Sequence, residues 1–579
     1  MTLRIFRTAA LAGIAFAVAI HALPASAQPA PSPGASVTPA APALGPSASA
    51  QPASGLRLSR STASVSPLGI VAIGISGASG AVSVVVSNAN VSARYDAATN
   101  ALIISGNVLG NATVTLSDAT GTSVTVAVTV LPSAGTVPSD VTLSLGGTVS
   151  PEFAIAKIAA AIQRLAQMQP GATLSVRGVT IVNPLRAGDS LEAAATVVIS
   201  AGSGFADQIG TTSVHLSVET LDELEPAFLF YSDDPEKLGA DDDGVLYRST
   251  IDATKPARLY AYHVSDTPPH RLSLILHTKG HASVQILGYA AGPADAFAYV
   301  GHVSTLQYML ERNTQESIVV DVGAQTPYVQ ALGYRILDPG ELVAAIFDLR
   351  VLEGDAVDVE VIATSGPEDP VDRIDDPEHA GDGHGRRGEF ALATIAPLAL
   401  TYAAGGPEPA PFTAGDPTIP NLRPGGRPLG GDYGALRTVA LQLSNPSSEQ
   451  QNVYFYEQSA GGSATTTIWF TGDPRPTEIP CVKVPENRYL IKTFTLDAGE
   501  TRTVGGEYMT DGSSSFPLDF GLTSLTPSPP PGPYSADACN PKTAPATPAP
   551  SASPSASPSG QPSPGPGQQA ATPQPTAAP

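Results

Sequence analysis

Hydrophobic and polar residues alternate in short stretches from about residue 56 to residue 525 of the chain. In residues 123–130, for example, a valine stands at every second position and Thr125 and Thr129 lie between. Alternation with a period of two predicts half-buried strands. Gly, Asn and Asp separate many of these stretches, which is typical of hairpin turns. The pattern therefore predicts a mainly β fold, with several antiparallel β-sandwich domains in series.

One stretch has helical periodicity instead. Ser150 is a good N-cap, Pro151 suits the first helical position and Glu152 suits the first turn. Four apolar residues then fall on one stripe, namely Ile155, Ile158, Ile162 and Leu165. The spacing predicts a helix over Ser150 to Gln169, which Pro170 and Gly171 end, and we expect it to be the only substantial helix.

These elements divide the chain into successive units. We predict an Ig-like β-sandwich at 56–132, a small α+β module at 138–222, a β-sandwich at 225–365, an acidic loop at 366–389 and a second β-sandwich at 390–525. A Pro/Ala/Ser-rich linker precedes them at 28–55, and a Pro/Ser/Ala-rich tail follows at 526–579. Such compositions cannot offset their chain entropy, so we expect disordered termini. They are either spacers or unselected low-complexity extensions.

The first 27 residues have the sequence features of an export signal. Arg4 and Arg7 precede an apolar run from Ala9 to Leu23, and the small-x-small pattern 25–27 follows. The alternative is a membrane anchor, but the run is shorter than the roughly 20 residues that span a bilayer. We therefore expect a cleaved signal peptide and a periplasmic, secreted or cell-surface location. No later run suggests a transmembrane span in the mature chain.

The segment 107–130 resembles the closing strands of bacterial immunoglobulin-like surface domains. In those domains an Asp-x-x-Gly turn joins the last two strands, as Asp118 and Gly121 would do here. The resemblance covers only 56–132. It implies a structural or adhesive module without catalysis.

The net charge of the chain limits the classes of macromolecule that we expect it to bind. The chain has 30 Lys and Arg against 52 Asp and Glu, a formal net charge of −22. Such a chain does not gain affinity for phosphate backbones by counterion release, so nucleic acid is not an expected partner.

Sequence motifs of catalysis do not occur. G-x-S-x-G, H-E-x-x-H, the P-loop and C-x-x-C are all missing from the sequence. A hydrolase that uses a pair of carboxylates is still an alternative, because the distance between the two groups is set by the fold and not by their separation in the sequence. Histidines at 263, 270, 277, 281 and 302 are a metal-site candidate, with surface histidines as the alternative.

An acidic stretch is the main candidate for calcium, the one cofactor that we consider. It contains Asp233, Asp234, Asp241, Asp242 and Asp243. Calcium prefers several oxygen ligands on a flexible loop. A solvated acidic loop is the alternative explanation.

Three aromatic residues are a candidate platform for sugar rings. Tyr454 and Tyr456 share one face of a predicted strand, and Trp469 would complete the platform if it lay on the next strand. Packing of Trp469 in a core is the alternative.

The two cysteines, Cys481 and Cys539, are separated by 57 residues. Export to an oxidising compartment permits a disulfide between them, which would add about 4 kcal/mol to stability. A nucleophilic cysteine is the alternative.

Together these features predict an exported, non-catalytic envelope or cell-surface protein with a role in adhesion, scaffolding or spacing. Its partner would be an envelope or surface component, either a protein or a glycan. A carbohydrate-binding protein, with or without calcium, is the second hypothesis, and a hydrolase is the third.

Overall fold

A computed structural model describes residues 55–200, 202, 204–381, 386–415, 419–482 and 487–530. The predicted mainly β architecture is confirmed, with strands gathered into several sheets and two α-helices. The predicted signal peptide, nearly all of the linker and most of the tail lie outside the described residues.

The N-terminal unit is a sandwich of two four-stranded sheets, with strand orders β1-β3-β6-β5 and β2-β8-β7-β4. Its strands are β1 Arg57–Leu58, β2 Thr62–Val65, β3 Ile70–Ser76, β4 Ser83–Val86, β5 Val91–Asp96, β6 Ala101–Gly106, β7 Gly110–Ser117 and β8 Ser123–Val130. Alternate residues such as Leu102, Val114 and Val126 are fully buried between the sheets. The alternating hydrophobic residues of these strands thus form the face that packs in the core.

The turn that joins β7 to β8 is the Asp-x-x-Gly turn that the sequence predicts. Asp118 Oδ1 accepts backbone hydrogen bonds from Thr120 at 3.0 Å and Thr122 at 3.1 Å. Gly121 has a φ of +83°, a conformation that glycine adopts without strain.

The middle of the chain is built on one sheet of 11 strands. Its main order is β12-β13-β14-β10-β21-β20-β23-β18-β15-β25, and β16 pairs with β18. A four-stranded sheet, β17-β24-β19-β22, packs against it across a shared hydrophobic core.

The elements up to residue 219 are β9 Gly135–Thr136, β10 Asp140–Gly146, α1 Pro151–Leu165, β11 Gln167–Met168, β12 Thr173–Arg177, β13 Ser190–Ser200 and β14 Gln208–Glu219. Those that follow are β15 Phe228–Ser232, β16 Lys237–Leu238, β17 Gly244–Ile251, β18 Ala257–Ser265, β19 Arg271–His277, β20 His281–Ala294, α2 Phe297–Thr314, β21 Ser317–Gly323, β22 Tyr328–Ala331, β23 Leu342–Gly354, β24 Val357–Thr364 and β25 Arg387–Ala391. The antiparallel pair β10 and β21 joins the strands of the predicted module 138–222 to those of the predicted unit 225–365 in one sheet.

Helix α1 has the predicted start but a different end and a different buried face. Ser150 caps it by accepting a hydrogen bond from the Phe153 amide at 3.2 Å. The helix ends at Leu165, four residues before the predicted end. The residues that face the core are Phe153, Ala154, Ile158, Ala161 and Ile162, whereas Ile155 and Leu165 are exposed. The stripe prediction was wrong at those two positions because alanines allow close packing along a neighbouring stripe.

Helix α2, which the sequence analysis did not predict, corrects the expectation of a single substantial helix. It covers 18 residues, Phe297–Thr314. Its buried positions include five polar or charged residues, His302, Ser304, Thr305, Glu311 and Arg312. Because polar groups stand where a helix normally presents apolar ones, the amphipathic signal is weak.

The acidic segment 366–389 also differs from the exposed loop that we expected. It contains a short 3₁₀ helix, Pro370–Arg373, and the start of β25. Strand β25 pairs antiparallel with β15 and extends the large sheet by one strand.

The C-terminal unit is a sandwich of a five-stranded sheet, β26-β28-β33-β30-β31, and a four-stranded sheet, β27-β34-β29-β32. Its strands are β26 Leu398–Ala403, β27 Phe412–Ala414, β28 Arg437–Ser444, β29 Gln451–Ser459, β30 Ala464–Phe470, β31 Thr477–Val482, β32 Tyr489–Leu496, β33 Thr501–Thr510 and β34 Leu518–Thr523; a second 3₁₀ helix, Leu392–Thr394, precedes them. Neither helix in the described part of the chain is long and apolar enough to cross a membrane.

Candidate functional site at the junction of helix α2 and the C-terminal sandwich

Helix α2 lies between the large sheet and the outer face of the five-stranded sheet of the C-terminal sandwich. It contacts β20 and β23 on one side and β30 on the other. Gly301 allows the close approach, since a Cβ atom there would lie 2.2 Å from the Gly512 carbonyl oxygen. The polar side chains of α2 are therefore enclosed at the junction of the two units.

His302 is the centre of the first group of charges, which we call the His302 clamp. Its Nδ1 lies 2.7 Å from Asp511 Oδ2, and its Nε2 lies 2.9 Å from Glu478 Oε2. The other oxygen of Asp511 accepts a hydrogen bond from Thr467 Oγ1 at 2.9 Å. His302 belongs to α2, whereas Asp511 and Glu478 belong to the C-terminal sandwich.

The imidazole of the clamp is charged at neutral pH. Burial by itself lowers the pKa of His302, but Asp511 and Glu478 together raise that pKa to about 9. The hydrogen bond with His302 in turn lowers the pKa of Glu478. A doubly paired imidazolium thus joins the helix to the sandwich.

Arg258 on β18 is the centre of a second group, the Arg258 cluster. Its Nε donates to Asp348 Oδ1 at 2.8 Å and its Nη1 donates to the Gly434 carbonyl at 3.1 Å. Tyr308 of α2 donates to Asp348 Oδ2 at 2.8 Å. Because Gly434 belongs to the segment that leads into β28, this cluster also crosses the junction.

Arg312 adds a third polar connection one turn further along α2. It donates to Glu225 Oε1 at 2.8 Å and pairs with Glu507 Oε1 of β33 at 3.4 Å. Apolar residues from both units, including Tyr260, Val300 and Met509, share one buried cluster around these charges, and Trp469 packs against it. The guanidinium group of Arg312 is thus buried, whereas its partners Glu225 and Glu507 reach the surface.

Two buried carboxyl groups near the junction have raised pKa values and so keep a proton to a higher pH than an exposed carboxyl group. Burial raises the pKa of Glu457 to about 8 and that of Glu311 to about 7. Glu457 is fully buried inside the C-terminal sandwich, where Thr466 and the carboxylate of Asp511 influence its pKa. It is therefore protonated at neutral pH.

A Ser–His contact elsewhere resembles a nucleophile–base pair but is sealed in the core. Ser232 Oγ lies 2.9 Å from His263 Nε2, and His263 Nδ1 faces the Pro235 carbonyl at 2.8 Å. Burial lowers the pKa of His263 to about 4, so the ring is neutral. With Ser232 fully buried, the pair is out of reach of a substrate.

The structure divides the five aspartates of the calcium hypothesis among different surroundings. Asp233 and Asp234 are buried, and Arg386 Nη1 lies 3.4 Å from Asp233 Oδ2. A cation at Asp233 would have to compete with this guanidinium group.

The other three aspartates directly precede β17. Asp242 Oδ1 lies 2.8 Å from His379 Nε2, and Asp243 accepts a hydrogen bond from Ser365 Oγ at 2.6 Å. Asp241 is exposed. Across the described residues, no group of three or more His, Cys, Asp or Glu side chains is arranged to hold a metal ion. The calcium site stays a prediction from the sequence.

The three aromatic residues of the sugar-platform hypothesis lie on different sheets. Tyr454 and Tyr456 are on β29 of the four-stranded sheet, whereas Trp469 is on β30 of the five-stranded sheet. Core packing of Val453 and Phe455 turns the two tyrosines to one outer face of the sandwich, and Trp469 turns to the opposite one. Trp469 does lie on the next strand along the chain, but that strand belongs to the other sheet, and the sugar platform stays a prediction from the sequence.

Cys481 lies in β31 and is buried. Cys539 lies outside the described residues, so the bridge between the two cysteines stays a prediction.

No family model and no curated protein sequence matches the chain. Among solved structures, tripeptidyl peptidase 2 aligns with 82% of this chain at 8% identity and a TM-score of 0.12, and the chain spans only 34% of that protein. The extracellular cadherin domains 1–4 of protocadherin gamma B7 align with 38% of this chain and 71% of their own length, at 10% identity and a TM-score of 0.11. The Bacteroides ovatus glucan-utilisation protein SGBP-B, solved with a mixed-linkage heptasaccharide, covers 51% of this chain and 70% of its own length, at 14% identity and a TM-score of 0.12. These weak likenesses to multidomain proteins carry no argument about function.

Sequence reasoning missed most of the junction residues. Of its main members, only His302 belongs to a group that the sequence analysis considers, and there as a metal-ligand candidate. Arg258, Asp348 and Asp511 have no distinguishing spacing, since their partners are up to 209 positions away. A weak signal does exist for Arg258, a lone basic residue in the otherwise apolar stretch 256–262.

Proposed function

We propose that the chain is an exported envelope or cell-surface protein that acts without catalysis, by holding its β-rich units in a fixed mutual orientation for adhesion, scaffolding or spacing. The observation that carries this proposal is the buried His302–Asp511 ion pair across the junction of α2 and the C-terminal sandwich. Export itself is inferred from the sequence of residues 1–27.

Buried ion pairs support a fixed orientation for an energetic reason. Domains of one chain move relative to each other by default unless their interface is large and apolar. Here the apolar cluster supplies contact area, and separation of the units would leave Asp511, which is fully buried, without His302. Removing one partner of such a pair costs roughly 3–5 kcal/mol. The junction therefore resists hinge motion.

The chemistry of the junction is consistent with a structural role. Each ring nitrogen of His302 already faces a carboxylate, and Arg258 is satisfied by Asp348 and a backbone carbonyl. Groups paired in this way stabilise one arrangement of the chain, whereas a catalytic base must face its substrate.

Two experiments test the two parts of the proposal. For location, the full chain is produced in a bacterial host and the cells are fractionated, with the double variant Ile14→Asp/Phe16→Asp as a control whose leader cannot be inserted. We expect the wild-type chain outside the cytoplasm and the control inside. Equal cytoplasmic retention of both would reject export.

For fixed orientation, spin labels are placed through an unnatural keto amino acid at Tyr334 and Leu525, both exposed and on different units. This chemistry leaves the cysteines untouched. We expect one narrow distance distribution, which His302→Leu broadens. A broad distribution in the wild-type protein would contradict the proposal. Binding of the purified protein to an array of glycans would favour the carbohydrate-binding hypothesis instead.

A further inference from the structure

Charged residues and exposed hydrophobic residues are unevenly distributed along the chain. Residues 56–219 contain seven basic and eight acidic residues, whereas residues 220–525 contain 20 basic and 43 acidic residues. Of the 15 large hydrophobic residues that are exposed in the described structure, 11 belong to the shorter, nearly neutral part. Where exposed apolar residues adjoin one another, they are typical of an interaction site.

Strand β4, Ser83–Val86, lies at the edge of a sheet and is both free of charge and partly exposed. In the sheet order β2-β8-β7-β4 it is the last strand, and among the described strands it pairs only with β7. The side chain of Val85 is 64% exposed and that of Val86 is 36% exposed. Proteins usually protect such an edge with charges, proline or a bulge. The segment 76–93 contains neither a charged residue nor a proline.

The backbone of β4 has a defined set of groups on its free edge. The Ser87 amide donates to the Thr113 carbonyl of β7 at 2.9 Å. Because the groups of successive residues in an antiparallel strand point to opposite sides, Ser83 and Val85 also direct theirs toward β7. The amide and carbonyl groups of Val84 and Val86 are therefore directed toward the free edge.

We propose that two copies of the chain associate by pairing their β4 strands antiparallel across a two-fold axis. Val84 of one copy would pair with Val86 of the other through backbone hydrogen bonds, and the two Val85 residues would lie opposite each other. The two four-stranded sheets would become one sheet of eight strands. This inference is independent of the α2 junction.

Two features favour a second copy over another partner. The edge is self-complementary, since the pairing sets a β-branched side chain opposite its own copy, which is a favourable cross-strand pair. The charge distribution also favours this contact, because two chains meeting at β4 bring together their nearly neutral parts and keep the strongly acidic residues 220–525 apart.

The test compares the full chain with two edge variants and one matched control by sedimentation equilibrium. Val85→Lys would place like charges opposite each other, and Val86→Pro would remove an amide from the free edge while keeping the ladder with β7. Leu525→Lys changes an equally apolar residue that is 73% exposed on the C-terminal sandwich. Thermal unfolding checks that each variant is folded.

We expect a wild-type dimer whose dissociation constant rises about fivefold or more in Val85→Lys and Val86→Pro and is unchanged in Leu525→Lys. Because residual repulsion comes from the acidic units, raising the salt from about 0.15 M to 1 M should strengthen the dimer. A wild-type monomer at both salt concentrations would overturn the proposal. A dimer that Val85→Lys does not weaken, or that Leu525→Lys weakens equally, would place the interface elsewhere and overturn it as well.

Discussion

His302 of helix α2 and Asp511, the residue directly after β33, form an ion pair of 2.7 Å, although 208 residues separate them in the chain. Both side chains are buried. The pair joins a helix that packs on the large sheet to a strand of the C-terminal sandwich. This charge contact between the two units is therefore hidden from solvent.

Replacing His302 with leucine should destabilise the junction by roughly 3–5 kcal/mol, because Asp511 would keep its buried charge without a cation. Trp469, the only Trp of the chain, packs against the junction and reports on it by fluorescence. Urea unfolding followed at this residue measures the loss. The control is His281→Leu, an exposed histidine 3.9 Å from Asp321, for which we expect a change within about 0.5 kcal/mol. Equal effects of the two substitutions would contradict the clamp.

The clamp also predicts a dependence on pH. Although burial alone would lower it, the pKa of His302 is raised from the usual 6.5 of an imidazole to about 9 by Asp511 and Glu478. A raised folded-state pKa contributes stability that is fully present below the unfolded value and is lost as pH rises through the folded value. The urea midpoint of the Trp469 transition should therefore fall between about pH 6.5 and 9, and this part of the fall should disappear in His302→Leu. A midpoint that rises in this window would be inconsistent with the paired imidazolium.

Period-two alternation predicts the strands well, because each half-buried strand turns every second residue to a core, as Val126 and Val128 do. It does not predict which sheet a strand joins, so the pairing of β10 with β21 could not be derived. Helix α2 was not predicted because two of its buried residues, His302 and Arg312, are charged. Their burial is favourable only because they pair with residues that are distant in the sequence. The junction was unpredictable for the same reason, since pairing of charges is a property of tertiary structure.

Glu457 gives a second pH prediction with a different window. Burial raises its pKa from the usual 4.5 of a glutamate to about 8, so at neutral pH the folded protein holds a proton that the unfolded chain releases. Its contribution is fully present below about pH 4.5 and is lost as pH rises through 8. Glu457→Gln, which is neutral at every pH, should remove this loss and make the C-terminal sandwich more resistant to urea at pH 8.5 than the wild-type protein. A larger wild-type stability at pH 8.5 than that of the Gln variant would argue against the raised pKa.

Removal of Arg258 should be costly because Asp348 is fully buried. We expect Arg258→Met to lose roughly 3–5 kcal/mol, and the double variant Arg258→Met/Asp348→Leu to recover much of it, since an apolar pair of similar volume can replace a buried ion pair. The matched control is Arg335→Met, whose side chain is 39% exposed and pairs with Glu341 on the surface. There the expected loss is at most about 1 kcal/mol. Calorimetry of the four proteins measures these differences, and an absence of recovery in the double variant would mean that Arg258 acts by packing alone.

The last prediction is the Cys481–Cys539 bridge. Cys481 is buried in the edge strand β31 of the C-terminal sandwich, three positions after Glu478 of the clamp. A bridge from this strand would close a loop of 57 intervening residues, which corresponds to about 4 kcal/mol in the chain-entropy description. Reduction should therefore lower the unfolding temperature of the C-terminal sandwich and leave the N-terminal sandwich unchanged, because no cysteine lies between residues 56 and 132. Thiol labelling of the exported chain, denatured without reduction, decides the matter: a monomer without reactive thiols supports the bridge, and a chain with two reactive thiols rejects it.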